Sequence, residues 1–272
     1  MISASTRRAL RTGLERAGLL PLVHALRDWA WTWQYRELNR AYLATARNDK
    51  LPIPPARLRI RVAASPEIAW FVEGGRLGAT SVRGILEKNG LTLASAGSLL
   101  DFGCGCGRVL RHFMDDGVAL CGSDLNPELI GWNRSNLSPA RFEVNGLAPP
   151  LPFSGQEFGM VYALSVFTHL PETLQRPWLQ ELSRVLRPGG HLVFSTHGAR
   201  YLDQMTTDER NLFQAGRLVV RYEDRAGTNT CGAYHPEDYV RSQLPSALRV
   251  VDFIPEGALG NPHQDLWLVR NA

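Results

Sequence analysis

Three glycines and two cysteines alternate within LLDFGCGCGRVLRHF, residues 99–113, between an apolar run and an amphipathic one. Such a turn could serve as a metal site, a redox pair of thiols or a cradle for a nucleotide. Zinc takes four ligands, and the pair Cys104 and Cys106 has no C-x-x-C or histidine pair at the usual spacing to complete the set. Packing of small residues is the plainer reading of the two thiols. The glycines matter more, because glycine adopts positive φ without strain and leaves no Cβ in the path of a ligand. A helix beginning behind the turn would add unpaired N–H groups. The spacing departs from the G-x-G-x-x-G of a dinucleotide site, since Arg108 stands where the third glycine counted from Gly103 would fall. Downstream, Asp124 closes the next apolar run 19 residues after Gly105. An acid at an offset of about 20 meets ribose hydroxyls in nucleotide-binding folds of this kind. The alternative use of Asp124 is as an acid ahead of the helix that Pro127 begins.

The elements that must hold these residues follow from the hydrophobic pattern. Between residues 98 and 197, short apolar runs alternate with amphipathic segments, which argues for an α/β domain with a largely parallel sheet. The predicted strands are SLLDFG, VALCGSD, ARFEVN, FGMVYALS and HLVFST, with LRVVDFI and DLWLVR later in the chain. Helices are expected over 108–115, 127–136, 172–186 and 236–244. Residues 201–234 read as an insertion, helical in TTDERNLFQAG and then a hairpin. Ahead of the α/β pattern, Leu10, Leu14, Leu22, Leu26, Trp29, Trp33 and Leu38 recur at helical spacing among arginines, with Pro21 separating two helices. The prolines of LPIPPARLRIRV read as an extended connector, and two further helices are expected at 65–72 and 79–89. The resulting division is a helical extension or lid over residues 1–75 and a catalytic domain over 76–272.

Bulk properties narrow the partners. A net charge of +4 on 272 residues is too weak a field to make nucleic acid the expected ligand. Four cysteines are few for a disulfide scaffold, and the reading is a reduced, cytoplasmic protein without a secretory leader. No apolar run approaches the length of a membrane span.

Taken in order, the motifs resemble those of the class I S-adenosylmethionine-dependent methyltransferases from about Leu91 onward. LLDFGCGCGRVLRHF is similar to their first motif and CGSDLNPELI to their acidic strand end. EVNGLAPPLPFSGQEFGMVYALSVFTHLPE resembles the adenine-side loop and fourth strand, and ELSRVLRPGGHLVFSTHG the helix, turn and fifth strand. The resemblance implies a Rossmann-like, mostly parallel sheet of seven strands, the last antiparallel, with helices on both faces. It implies S-adenosyl-L-methionine as cofactor, with Gly103 and Gly105 near its methionine part, Asp101 in the acidic position of the first motif, Asp124 on the ribose and Leu125 beside adenine. That family often has an acid where Leu147 stands, so adenine contacts are expected from the backbone of Gly146 and Leu147. It usually has aspartate where Gly159 stands. Ser165 is expected to face cofactor and acceptor.

For catalysis, the same resemblance puts His169, after the fourth strand, and His197, after the fifth, on the acceptor side. The insertion offers Tyr222, with Tyr201, Tyr234 and His235 beside it. His191, at the other end of its strand, is expected to be structural. No D-P-P-Y-like motif follows the fourth strand, which disfavours planar amide or adenine nitrogen as acceptor. The functional expectation is methyl transfer to a small-molecule or glycan-like acceptor. A cofactor-binding scaffold acting through the N-terminal helices is the competing one.

Overall fold

The computed structural model describes residues 20–45, 50–260 and 263–272. The chain divides into two compact units, Met1–Ala69 and Trp70–Ala272. The expected helical positions Leu10 and Leu14 lie outside the described residues.

In the first unit, α1 (Leu20–Gln34) and α2 (Arg36–Thr45) are followed by α3 (Ala56–Ala63). Pro21 lies inside the first turn of α1. The connector expected around 51–62 is extended only to Pro55, which caps α3 at φ −52° and ψ 150°. A proline is compatible with a helix start, where its missing N–H is no loss, and here it begins a helix instead of preventing one. Buried Arg59 then ties the segment together: its Nε and Nη2 donate to the Pro66 carbonyl at 3.1 and 2.6 Å, and Nη1 donates to that of Pro54. Asn39 adds a second tie, accepting from Ile68 N (2.7 Å) and donating to Pro66 O (3.2 Å).

The two helices expected at 65–72 and 79–89 are one, α4 (Ile68–Lys88). Gly74, Gly75 and Gly78 inside it are places of close approach and not breaks. A Cβ at Gly74 would overlap the Arg108 guanidinium, one at Gly75 the Arg108 carbonyl, and one at Gly78 would press on Val109. After the short α5 (Leu93–Ala96) comes the sheet: β1 (Ser98–Phe102), β2 (Ala119–Asp124), β3 (Arg141–Val144), β4 (Phe158–Ala163), β5 (Leu186–His197), β6 (Val219–Arg221), β7 (Gly232–Tyr234), β8 (Leu248–Ala258) and β9 (Gln264–Asn271). Helices α6 (Pro127–Asn136), α7 (Glu172–Val185), α8 (Thr207–Gln214) and α9 (Glu237–Gln243) connect them.

β3, β2, β1, β4 and β5 are parallel neighbours in that order, and β9 pairs antiparallel to β5 with β8 outside it. These seven are the strands the sequence reading expected. The sheet nevertheless has nine, because the insertion contributes the β6–β7 hairpin. β4 covers one edge of β5 through Phe194 and β9 covers the other from His191 to His197, so β7, pairing at His197, continues the sheet past the end of β4. A hairpin placed there overhangs the carboxyl ends of the central strands. The core beneath is continuous, with Leu100, Phe102, Val161, Trp178, Leu192, Phe194 and Trp267 among its buried members.

Two local departures have clear causes. The helix expected at 108–115 is only a 3-10 turn, Leu110–Phe113. Gly103, Gly105 and Gly107 all have positive φ, so the glycine turn consumes the residues that would have begun the helix, and Gly117 (φ +69°) ends the segment. At the start of β4, Gly159 packs so closely on the Ala96 carbonyl that a Cβ would overlap it, which accounts for glycine at the position where the resemblance led one to expect aspartate.

Candidate active site

β1 delivers Asp101 and then the glycine turn to the carboxyl edge of the sheet. Asp101 is buried, and this burial raises its carboxyl to about 8, with the Asp124 charge adding to the rise and the neighbouring Tyr162 phenol opposing it. It is therefore mainly a neutral acid at pH 7. Gly103 N donates to Ser123 O (2.8 Å), holding the turn against the end of β2. At φ +79° a side chain on Gly103 would be strained, and it would also overlap Val166. Cys104 and Cys106 are buried thiols, and burial pushes that of Cys104 well up, as expected for packing groups.

Asp124 closes the turn from the neighbouring strand. Its Oδ2 accepts from Gly105 N (2.9 Å) and its Oδ1 from Asn126 N (2.8 Å). The contact with Asn126 N is the expected use of an acid ahead of α6, and the hold on the glycine turn through Gly105 N adds a role the sequence reading did not foresee. A carboxylate is an acceptor-only group with lone pairs on both oxygens, the chemistry that a pair of vicinal hydroxyls would meet. Asn126 caps α6, accepting from Glu128 N (2.9 Å), and Pro127 takes the first helical position. On the far side of the turn, Asn133 of α6 donates to Gly105 O (2.8 Å).

Leu125, after β2, and Leu147, after β3, both expose their side chains at this edge. They converge: a Cβ on Gly227 of the insertion would press on Leu125 Cδ2 and Leu147 Cδ1. The Gly146–Leu147 loop is fixed by its backbone, with Asn145 Nδ2 donating to Gly146 O (2.7 Å) and Trp178 Nε1 to Leu147 O (2.9 Å). The turn at Gly227 is itself anchored, its N donating to His169 O at 2.8 Å. One turn of the insertion therefore joins the leucine pair to the segment that carries His169.

The second half of the edge is made of side chains. Ser165, just beyond β4, has φ +58°, a conformation that costs a non-glycine residue about 1–3 kcal/mol. It is held there by Ser165 N donating to Ser195 Oγ (2.7 Å) and by Gln264 Nε2 donating to Ser165 Oγ (3.0 Å). Ser195 Oγ donates in turn to Gln264 Oε1 (2.7 Å). His169 Nε2 lies 3.5 Å from Ser165 Oγ, and His169 Nδ1 lies 2.7 Å from Cys231 O. His197 Nδ1 lies 3.2 Å from Ala233 O, and its Nε2 lies 3.5 Å from Gln264 Nε2. A carbonyl only accepts, so each ring carries its proton on Nδ1 and offers a lone pair at Nε2. Burial lowers the pKa of both imidazoles, and that of His197, which also faces His169, falls to about 4. Both are neutral near pH 7.

Tyr201 and Tyr234 pack on His197, with ring centroids 4.5 and 5.3 Å away. Tyr222 is not brought to this group: it stands 66% exposed on the insertion. His235 is buried with its Nε2 3.2 Å from Gln175 Oε1. Arg108, which stands in place of a third glycine, is buried and donates to the carbonyls of Phe71 and Gly260 at 3.4 and 3.2 Å. The sequence reading passed over Gln264 and Ser195. Gln264 begins β9, and because β9 runs against β5 its first residue meets His197, the last of β5. The first residue of an antiparallel closing strand was the available signal.

A family profile for methyltransferase domains matches residues 77–247. The chain belongs to that family. Among individual relatives, this methyltransferase-domain chain is 29% identical over 105 residues to an uncharacterised methyltransferase of Synechocystis sp., covering 39% of this chain and 49% of that protein. It is 30% identical over 107 residues to a malonyl-[acyl-carrier protein] O-methyltransferase of Enterobacter lignolyticus, covering 39% of this chain and 41% of that one. The match thus spans about half the length, or less, of these curated relatives. Among solved structures, the Burkholderia thailandensis 1,6-didemethyltoxoflavin-N1-methyltransferase, with bound 1,6-didemethyltoxoflavin and S-adenosylhomocysteine, superposes with a TM-score of 0.51 at 18% identity, over 74% of this chain and 79% of that one. Likeness at that identity is a likeness of fold: a Rossmann-like sheet flanked by helices.

Proposed function

We propose that the chain is an S-adenosylmethionine-dependent methyltransferase acting on a hydroxyl or amine of a small-molecule or glycan-like acceptor. The observation that carries this reading is the pair of imidazoles whose Nδ1 atoms face the Cys231 and Ala233 carbonyls and whose Nε2 atoms turn toward Ser165 and Gln264, next to the glycine turn. Val166 makes the link, packing on Gly103 and lending its carbonyl to His169 N (2.9 Å).

The residues of the turn fit the cofactor. Positive φ at Gly103 and Gly105 opens the backbone to close approach, Asp124 presents a carboxylate of the type that accepts from vicinal hydroxyls, and Leu125 and Leu147 offer apolar surface to a base. In this reading Gly103 and Gly105 lie along the methionine part, Asp124 holds the ribose, and Leu125, Gly146 and Leu147 border adenine. Asp101, as a neutral acid, stiffens the turn from beneath. When bound, S-adenosylmethionine supplies a methyl group already activated by the sulfonium charge. Orientation of the acceptor is then the main demand on the protein. His169 Nε2 accepts the acceptor's hydrogen bond and removes its proton; His197, a weaker base at about 4, positions the acceptor through its own Nε2. Ser165 and Gln264 keep the two rings in register. The relatives' names support transfer to small or carrier-bound acceptors: the Enterobacter protein is a malonyl-[acyl-carrier protein] O-methyltransferase, and the Burkholderia enzyme binds 1,6-didemethyltoxoflavin.

Incubation of the full chain with methyl-labelled S-adenosylmethionine and fractionated pools of hydroxyl- and amine-bearing metabolites and glycans tests the proposal. A labelled product that is lost in His169→Ala supports it. Binding of NAD with no response to S-adenosylmethionine would overturn it.

A further inference from the structure

The first unit carries an apolar face in an unusual place. Along α1, Leu22, Leu26, Trp29 and Trp33 follow one another at intervals of four, three and four, so they form a single stripe. All four are exposed, at 57%, 58%, 67% and 59%. On the other side of the helix, Asp28, Trp31 and Thr32 are half-buried. An ordinary surface helix buries its apolar stripe, whereas α1 leaves this one exposed. A row of exposed leucines and tryptophans on one helix is a docking surface.

The charge of the same unit indicates what it docks on. Residues 1–69 hold twelve arginines and lysines against five acids, a net charge of +7, whereas the whole chain carries only +4. The remainder is therefore acidic, and the basic excess is concentrated on the unit with the exposed stripe. Cations also stand beside the stripe, in exposed ion pairs: the Arg36 guanidinium lies 3.9 Å from the centroid of the Trp33 ring and 3.1 Å from Glu37, which Arg40 also meets, and Arg27 pairs with Asp28. Such exposed pairs are weak and open to exchange with another anion. Tryptophan with arginine at the edge of an apolar stripe suits the boundary between lipid headgroups and acyl chains, where the ring sits among the headgroups and the cation meets phosphate. Among the described residues no helix is long and apolar enough to cross a membrane; a helix with one exposed apolar stripe suits the surface plane instead.

We propose that α1 docks the protein on an anionic lipid bilayer, inserting Leu22, Leu26, Trp29 and Trp33 while the basic excess of its unit is drawn to acidic headgroups. The proposal concerns the first unit alone and stands whether or not methyl transfer does.

The test is co-sedimentation of the full chain with vesicles of phosphatidylcholine alone and of phosphatidylcholine with phosphatidylglycerol, at low and high salt. Partition onto the anionic vesicles should exceed that onto neutral ones by about tenfold or more and fall steeply with salt. The paired substitution Trp29→Ser and Trp33→Ser should lower it by a similar factor at unchanged melting temperature, because both rings are already exposed. Equal absence of binding to both vesicles would overturn the proposal, as would binding indifferent to the substitutions. A dimer in light scattering that the substitutions dissolve, with no vesicle binding, would also overturn it by assigning the stripe to a second copy of the chain. Should the variant melt early, the wild-type comparison of the two vesicle types and two salt levels decides alone.

Discussion

The carboxyl edge of the sheet is built in two ways. Around β1, β2 and β3 it presents mostly backbone: three glycines at positive φ, N–H groups of Gly105 and Asn126 on one carboxylate, and a loop whose carbonyls accept from the Asn145 and Trp178 side chains. Around β4 and β5 it is side chain: Ser165, His169, His197 and Gln264 arrive from segments as far as 99 residues apart and are fixed by hydrogen bonds to one another or to the carbonyls of β7 and its approach. Backbone geometry serves a ligand whose shape does not change, while side chains allow the other half to be tuned to a particular acceptor. The lesson is that the two halves should fail separately.

The largest effect is expected from the side-chain half. His169→Ala should lower kcat by about 100-fold or more, the usual worth of a positioned base, while affinity for S-adenosylhomocysteine stays within about twofold. Steady-state kinetics beside a binding titration reads both; a parallel loss of binding would show that the halves are not separable. Next in size, Asp124→Ala should weaken S-adenosylhomocysteine binding by about tenfold or more, since it removes a charged acceptor worth roughly 1–3 kcal/mol and frees Gly105 N from its partner.

Acidity should distinguish the halves too. Burial depresses both imidazoles, so the acid limb of kcat/KM should lie below pH 6.5, the ordinary histidine value. Gln264→Glu places a carboxylate beside His197 Nε2, favours the charged ring and should move that limb to higher pH without changing cofactor affinity. Stability follows the same sign. The unfolded chain takes up protons at His197 below pH 6.5 while the folded chain resists until about 4, so stability is lost as pH falls across that window, by ~3 kcal/mol from this residue. Thermal melts between pH 7 and 4 check this. The smallest effect is expected from Tyr222→Phe: an exposed ring away from the histidines should leave kcat within about twofold.

The same division governs what could be read from the sequence. The backbone half was legible because its signals are local: an apolar run, alternating glycines, an acid 19 residues on, and Asn126-Pro127 opening a helix. The insertion hairpin was legible for the same reason, since β6 and β7 alternate and are separated by turn residues. Gln264 was not, because only the antiparallel pairing of β9 with β5 carries it to His197. Tyr222 and Tyr234 are alike in sequence, and only the pairing of β7 at His197 separates them. The break expected within α4 has a similar origin. A glycine that admits a neighbour and a glycine that ends a helix are the same letter, and Arg108, the neighbour in question, lies more than 30 residues away.

A calorimetric titration of S-adenosylhomocysteine into the wild-type chain, Asp124→Ala and His169→Ala tests the division most directly. The account predicts one-site binding that weakens in Asp124→Ala and is preserved in His169→Ala. Absence of binding to the wild-type chain, or equal weakening in both variants, would contradict it.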